Sequence, residues 1–418
     1  MKYEIIKLQD VVDKLGDGLH GTPIYDNNGE YYFINGNNLD DGKIVFKENT
    51  KKVSREEYHK YKKDLNDRTI LVSINGTLGN VAVYKNEKVM LGKSACYFNV
   101  IENVNKDYIK YVIMSPDFKK YLEQHYTGTT IKNVSLKTMR NYTFKLPSEN
   151  HQLLVSKILS SLDSKIELNN QIISNLEELA STLFKRWFVD FEFPDENGNP
   201  YKSSGGKMVD SELGKIPEGW EITELKSIVD VVDNRGKTPP LEKDKTDFPI
   251  IDVKTLSGNG RVVNYNKAQK YVSEETYSSW FRSGHPKIND ILISTVGSIG
   301  EIKMFLTDKG TIAQNVVGLR AKKHLEYHLY QFLLYNKSNL ITYNIGSVQP
   351  SIKVTHLLKH KVLLPNKKDL NKFNSVMIGL TDKIINLSKE INSLTEIRDS
   401  LLPKLLSGEV ELPEDEEV

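Results

Sequence analysis

Cysteine is almost absent. Cys96 is the single one among 418 residues, so no internal disulfide can form. Within KSACYFNV, residues 93–100, it reads most simply as a buried strand residue. Long apolar runs are missing too: none approaches the ~20 residues that a membrane-spanning helix needs. The opening MKYEIIKL lacks the apolar stretch and small-residue cleavage site of a secretion signal. Charged residues make up 27% and apolar residues 39%, the balance of a soluble globular protein. Together these absences point to the cytoplasm. The length suits roughly two to four domains.

Catalytic signatures are also missing. SGGKM at 204–208 has neither the spacing nor the hydroxyl of a phosphate-binding Walker loop. The motif expected of an amino-methyltransferase, Asn or Asp followed by two prolines and an aromatic, does not occur. Nine histidines and one cysteine form no zinc-ligand spacing, and His356 and His360 lack a surrounding HExxH, which leaves them as a surface pair. PDFKK at 116–120 and PDE at 194–196 resemble pieces of nuclease motifs, but a helix break and a linker turn explain them better. The chain by itself is therefore expected to be no enzyme and to bind no metal or cofactor.

What the sequence does have is a duplication. ILVSINGTLG at 70–79 returns as ILISTVGSIG at 291–300, with Ser73 and Ser294 221 positions apart, as are Gly76 and Gly297. LQDVVD from Leu8 matches LKSIVD from Leu225, and LDSKI from Leu162 matches LTDKI from Leu380. Near-constant offsets over a whole half mark an internal repeat. Each copy opens with a stretch of mixed α and β character. In the first, β-rich runs at 70–74, 81–84 and 97–101 lie between Gly and Asn turns, and 108–122 reads as helical with a break near Pro116. Each stretch closes on a proline, FKLP at 144–147 and VLLP at 362–365, before a long helical pattern.

The charge divides along the same lines. Residues 1–150 hold 23 Lys+Arg against 19 Asp+Glu, and residues 217–366 hold 20 against 15, although the whole chain is only +2. Residues 151–216 and 367–418 are acidic, the latter because its final ten residues contain six carboxylates and no cation. A polyanion would favour the two globular parts, and a solvated mixed surface is the bland alternative for either part alone.

The first helical stretch spaces apolar residues by seven at Leu159, Ile166, Ile173, Ala180 and Trp187, and at Val155, Leu162, Leu176 and Leu183, with Asn169 the polar exception. The second does so at Met377, Ile384 and Ile391, and at Phe373, Leu380, Leu387, Leu394 and Leu401, with Arg398 the exception. It is expected to start near Asp369 and to end or kink just before Pro403. A sustained period of 3.5 argues for coiled-coil packing of one helix on the other. The pattern leaves parallel and antiparallel pairing open. The acidic end, EVELPEDEEV, reads as disordered.

Three pairs of polar loops match between the copies. SINGTLG at 73–79 pairs with STVGSIG at 294–300, GTTIK at 128–132 with GSVQPSIK at 346–353, and DGLHGTP at 17–23 with DNRGKTP at 233–239. Backbone amides and hydroxyls in such loops can meet phosphate oxygens, and a tight β-turn explains the first pair equally well. Arg, Lys and His are types that read base edges or phosphates.

These elements in this order resemble the specificity subunits of type I restriction–modification enzymes. DGLHGTP from Asp17, PEGWE from Pro217, DNRGKTPP from Asp233, the two Ser-x-x-Gly-hydroxyl-x-Gly loops, LDSKIELN from Leu162 and LLPKLLSG from Leu401 carry the resemblance, which spans residues 1–408. It implies a mixed α/β fold with two target-recognition domains in tandem repeat, separated by two long antiparallel coiled-coil helices that act as a ruler. The expected parts are a first recognition domain at 1–149, a long helix at 150–190, a linker at 191–216, a second recognition domain at 217–366, a second long helix at 367–408 and a disordered tail at 409–418. Further implications are double-stranded DNA read at an asymmetric bipartite site, two modification (methyltransferase) subunits, and restriction subunits. S-adenosylmethionine, ATP and Mg are expected on those partner subunits and not on this chain. The residues chosen for DNA contact are His20, Lys51, Lys52, Asn75, Thr77 and Lys132 in the first domain. In the second they are Arg235, Lys237, Lys270, Ser298, Gln349 and Lys353. A coiled-coil scaffold that binds no DNA is the alternative, and the two basic domains argue against it.

Overall fold

The computed structural model describes residues 3–313, 315–322, 324–346, 349–410 and 412. The chain divides into two units. Met1–Ile166 with Asn392–Val418 form unit 1, and Glu167–Ile391 form unit 2. Both long helices contribute to both units.

In unit 1 a four-stranded antiparallel sheet runs in the order Val12–Asp17, Ala95–Val100, Thr69–Ser73, Val81–Val83. Strand Thr69–Ser73 is buried at every position, so its centre, Ile70 to Val72, is continuously apolar rather than alternating. Cys96 lies in the neighbouring strand, fully buried, and burial pushes its thiol well above the ordinary range. A three-stranded sheet places Tyr31–Ile34 between an antiparallel Lys52–Val53 and a parallel Val89–Leu91. Strands Glu4–Lys7 and Thr143–Leu146 pair with one another. Helices Lys106–Met114 and Pro116–His125 part at Ser115. Its hydroxyl accepts from Phe118 N at 3.2 Å, and Pro116 takes the first helical position, where its missing N–H costs nothing.

Unit 2 repeats these three sheets. Its four-stranded sheet runs Val229–Val232, Val316–Ala321, Ile291–Ser294, Ile302–Met304, again antiparallel. Phe248–Ile251 sits between an antiparallel Tyr271–Val272 and a parallel Thr311–Ile312. Glu221–Glu224 pairs with Lys361–Leu364.

The long helices are Glu149–Phe188 and Lys367–Ser407. In unit 1, Val155 and Leu159 near the start of the first share a core with Leu402 and Leu405 near the end of the second. In unit 2, Ala180, Phe184 and Trp187 share one with Leu370, Phe373 and Met377. The helices therefore run antiparallel. Of the seam positions, Ile166, Ile384 and Leu387 are buried, while Leu162, Ile173, Leu176, Leu183, Leu380, Ile391, Leu394 and Leu401 are half-buried.

The two polar exceptions have partners. Asn169 is fully buried and its Nδ2 donates to Glu390 at 2.9 Å; Arg398 bonds Asp163 at 3.0 Å. The second helix does not end before Pro403 but continues through it to Ser407. Pro403 is exposed close to the helix end, and Leu402 and Leu405 on either side of it are buried. Tertiary packing thus outweighs one forfeited hydrogen bond. Val410 and Leu412 pack, partly buried, against the unit 1 core. Glu411 and residues 413–418 of the acidic end lie outside the described residues. Among the described residues no helix is long and apolar enough to cross a membrane.

Candidate nucleic-acid interface

The strand register brings the matched loops together. In unit 1 Cys96 pairs with Asp17 and Ala95 with Ser73, so the strands ending at Asp17 and Ser73 finish at the same end of the sheet. The loops that follow them, 17–23 and 73–79, leave from that end. In unit 2 Val232 pairs with Gly318 and Ser294 with Val316, which gathers 233–239 and 294–300 in the same way.

The third loop joins them by direct pairing. In unit 1 Gly76 N donates to Lys132 O at 2.9 Å, Val134 N to Ile74 O at 2.8 Å, and Asn75 Nδ2 to Asn133 Oδ1 at 3.1 Å. In unit 2 Gly297 N donates to Pro350 O at 2.9 Å and Ile352 N to Thr295 O at 2.8 Å. Three loops far apart in sequence thus form one polar surface at one end of each sheet.

Local chemistry sets the shape of the first loop. Ser73 and Ser294 are fully buried; the first hydroxyl accepts from Asn80 N and the second from Glu301 N, each at 2.8 Å. Gly76 and Gly297 adopt φ of +77° and +84°, a backbone that costs glycine little and a β-branched residue much. The shared serines and glycines therefore build the turn. Thr77 and Ser298, at its exposed tip, present hydroxyls outward.

The chosen residues fall as follows. Asn75, Thr77 and Lys132 share the composite surface of unit 1; Ser298 and Gln349 share that of unit 2. Gln349 Nε2 would lie 3.9 Å from a Cβ on Gly297. His20 is exposed in the adjoining loop and bonds Asp17 at 2.7 Å. Arg235 holds Asp233 through Nε at 2.8 Å and Nη2 at 2.6 Å, and Lys237 is exposed two residues on. Burial pushes the Asp233 carboxyl up, but its bonds to Arg235 outweigh that and hold it below its ordinary value. Lys132 bonds Glu123 at 2.6 Å and sits over the Tyr126 ring at 4.8 Å; the bond to Glu123 raises its ammonium pKa.

Lys51 and Lys270 occupy the same place in the repeat. Each is exposed, and each backbone carbonyl accepts from the middle strand of the smaller sheet, from Phe33 N at 2.8 Å and from Ile250 N at 2.9 Å. Lys52 is half-buried over the Tyr32 ring at 5.0 Å.

The two loop lysines are not equivalent. Lys132 stands where unit 2 has Pro350. Lys353 is the N-cap of helix Val354–Leu357, a place held in unit 1 by Ser135 before Leu136–Asn141. Sequence reasoning missed Asn133, Asp17 and Asp233, the groups that fix Asn75, His20 and Arg235. The two acids were visible at the head of the third matched pair. Among the described residues no His, Cys, Asp and Glu cluster of three or more is placed to hold a metal.

The comparisons agree with this architecture. The model of the type I restriction modification DNA specificity domain matches residues 1–178 and again 217–396. The chain is similar to the type I restriction enzyme MjaIX specificity subunit of Methanocaldococcus jannaschii, with 27% identity over 358 residues covering 83% of this chain and 78% of that protein. It is similar to the HindI specificity subunit of Haemophilus influenzae, with 22% identity over 361 residues, 70% of this chain and 74% of the other. Among solved structures, the S subunit of a type I restriction–modification system from M. genitalium shares the fold, with a TM-score of 0.55 at 18% identity over 97% of this chain and 96% of that one. With the family's domain present twice and covering most of its length, the chain belongs to the type I restriction–modification DNA specificity family.

Proposed function

We propose that this chain selects the DNA site of a type I restriction–modification complex, reading an asymmetric bipartite sequence with one half assigned to each unit. The observation that carries the reading is the gathering of three matched loops at one end of each four-stranded sheet. Those loops present hydroxyl, amide, Lys, Arg and His groups on a rigid scaffold, the arrangement that base and phosphate contact requires. Both globular parts are basic, which favours a polyanion. The copies differ within these loops, Leu19-His20-Gly21 against Arg235-Gly236-Lys237 and Asn75 against Val296, so the half-sites should differ. The long helices are the natural seat for modification subunits, with restriction subunits added beyond them. Methyl transfer, ATP hydrolysis and cleavage would then belong to those partners.

The experiment is methylome sequencing of cells that express this chain with its cognate modification subunit, against cells lacking the chain. An asymmetric bipartite adenine-methylated motif that vanishes with the chain is the expected result. An unchanged methylome, together with no salt-dependent retention of DNA in filter binding, would leave a protein scaffold and sink the proposal.

A further inference from the structure

Each unit fastens one loop of its globular part to the long helices through an ion pair, and the two fastenings have opposite polarity. In unit 1 loop 40–42 brings Asp41 to within 3.4 Å of Arg398 on the second helix. Arg398 also holds Asp163 of the first helix at 3.0 Å. Asp163 in turn accepts from Lys110 at 2.8 Å and from the Tyr111 hydroxyl at 2.6 Å. In unit 2 loop 258–261 supplies the cation. Arg261 is fully buried; it grips Glu177 of the first helix, with Nη2 to Oε2 at 2.8 Å, and donates to Thr381 of the second at 2.5 Å. Its guanidinium lies over the Tyr330 ring at 5.4 Å. Lys303 stiffens the same loop, its ammonium bonded to the carbonyls of Gly258, Asn259 and Gly260.

The two loops are one element of the repeat. Gly42 O accepts from Val83 N at 2.9 Å, as Arg261 O accepts from Met304 N at 2.8 Å. Asp41 therefore stands where unit 2 has Gly260, and both adopt a left-handed backbone, φ +40° and +81°. Asp163 corresponds to Thr381, 218 positions on, and Tyr111 to Tyr330, 219 on. A Cβ built on Gly260 lies 3.6 Å from Glu177 Oε1. The aspartate that unit 1 uses would, in unit 2, direct its carboxylate at another carboxylate in a partly dehydrated place. The reverse exchange would bring Arg261 to a helix surface where Asp163, in the place of Thr381, is already claimed by Arg398. Like charges brought together out of water are strongly unfavourable, and rejection of this kind is how a protein discriminates between similar partners.

We propose that the two clamps are a placement code, which admits each globular part to its own helix surface and rejects the other, and so fixes which half-site is read in which position. The last clause rests on the function proposed above; the code itself does not. The test compares Gly260→Asp with Gly260→Asn in the full chain. Both side chains are nearly the same size and both tolerate left-handed backbone, so only the charge differs.

The Asp variant is expected to melt several degrees below the Asn variant at pH 7, and adding Glu177→Gln should abolish or reverse the difference, because Arg261 then lacks its carboxylate partner. Equal melting of the two variants overturns the proposal. If neither folds, a chain with residues 1–149 and 217–366 exchanged decides. It is expected to melt below the natural chain and to recover when Asp41→Asn and Glu177→Gln neutralise the facing carboxylates. An exchanged chain as stable as the natural one overturns the code. A chain that bound no DNA would still give these melts, so failure of the functional reading is distinguishable from failure of the code.

Discussion

Arg235 reaches the loop surface already ordered. Asp233 grips its guanidinium through two nitrogens, so less side-chain freedom would be lost if a base or phosphate took the remaining donors. Arg235→Ala is expected to cost about 1–3 kcal/mol of discrimination at one position of the second half-site and nothing at the first. Binding of the assembled methyltransferase to duplexes altered one half-site at a time would show this; equal losses at both halves would refute the assignment. A second residue, His328, governs stability instead. It is fully buried among Phe184, Phe188 and Phe332, and its Nδ1 finds no partner among the described residues. Burial lowers its pKa from 6.5 to about 3. Between those values the unfolded chain binds a proton that the folded chain refuses, so stability is full above pH 6.5 and falls as the pH drops toward 3. His328→Phe should remove that share of acid sensitivity. In paired denaturant titrations its advantage over the natural chain should grow below pH 6.5 by up to about 1.4 kcal/mol per pH unit. Parallel pH profiles would show that the imidazole is not held neutral.

The element that shapes each loop surface is the turn after the second-copy strand Ile291–Ser294 and its first-copy equal. Ser294, itself fully buried, accepts from Glu301 N and donates to Ser298 O at 2.6 Å. Ser294→Ala leaves a buried amide unpaired and should cost about 1–3 kcal/mol. Local opening at Glu301 should appear as faster amide exchange there, and methylation should fall with no change in the preferred sequence. Unaltered exchange at Glu301 would mean that the hydroxyl does not hold the turn. This turn was half-legible in the sequence: its duplication was plain, but whether Ser and Gly served phosphate or backbone was open until Ser294 proved buried. The pairing of loops 73–79 and 128–132 was not legible, because it arises from tertiary contact and not from any local pattern. Lys132 and Lys353 ended similar strings, yet one replaces a proline and the other a helix cap. Arg261 left no signal, since an arginine in a Gly-rich loop normally faces solvent. The chain's end held a signal that went unread. Val410-Glu411-Leu412-Pro413 echoes Phe191-Glu192-Phe193-Pro194, 219 positions earlier, and Val410 and Leu412 pack on the unit 1 core much as Phe191 and Phe193 pack on that of unit 2.

At the scale of the whole molecule, the long helices are the one feature that both units share. Their seven-residue seam was legible because it is periodic, and their antiparallel course follows from partners whose numbers move oppositely, Asp163 with Arg398 and Glu177 with Thr381 by way of Arg261. Such a seam keeps its geometry on insertion of whole heptads, whereas two residues turn the apolar stripe by about 200°, away from its partner. Seven residues added after Asn169 and seven after Leu387 preserve the stripe on both helices and lengthen each by ~10 Å, about three base pairs of duplex. If the helices set the distance between half-sites, the lengthened chain should direct methylation to the same two half-sites with a longer spacer. Two-residue insertions at the same points should break the seam and abolish specific methylation. Methylome sequencing of cells carrying each variant reads both outcomes at once. An unchanged spacer in the seven-residue variant would show that the half-site distance is set elsewhere, by the partners or by the bending of the DNA, and the long helices would then be a seat for other subunits and not a ruler.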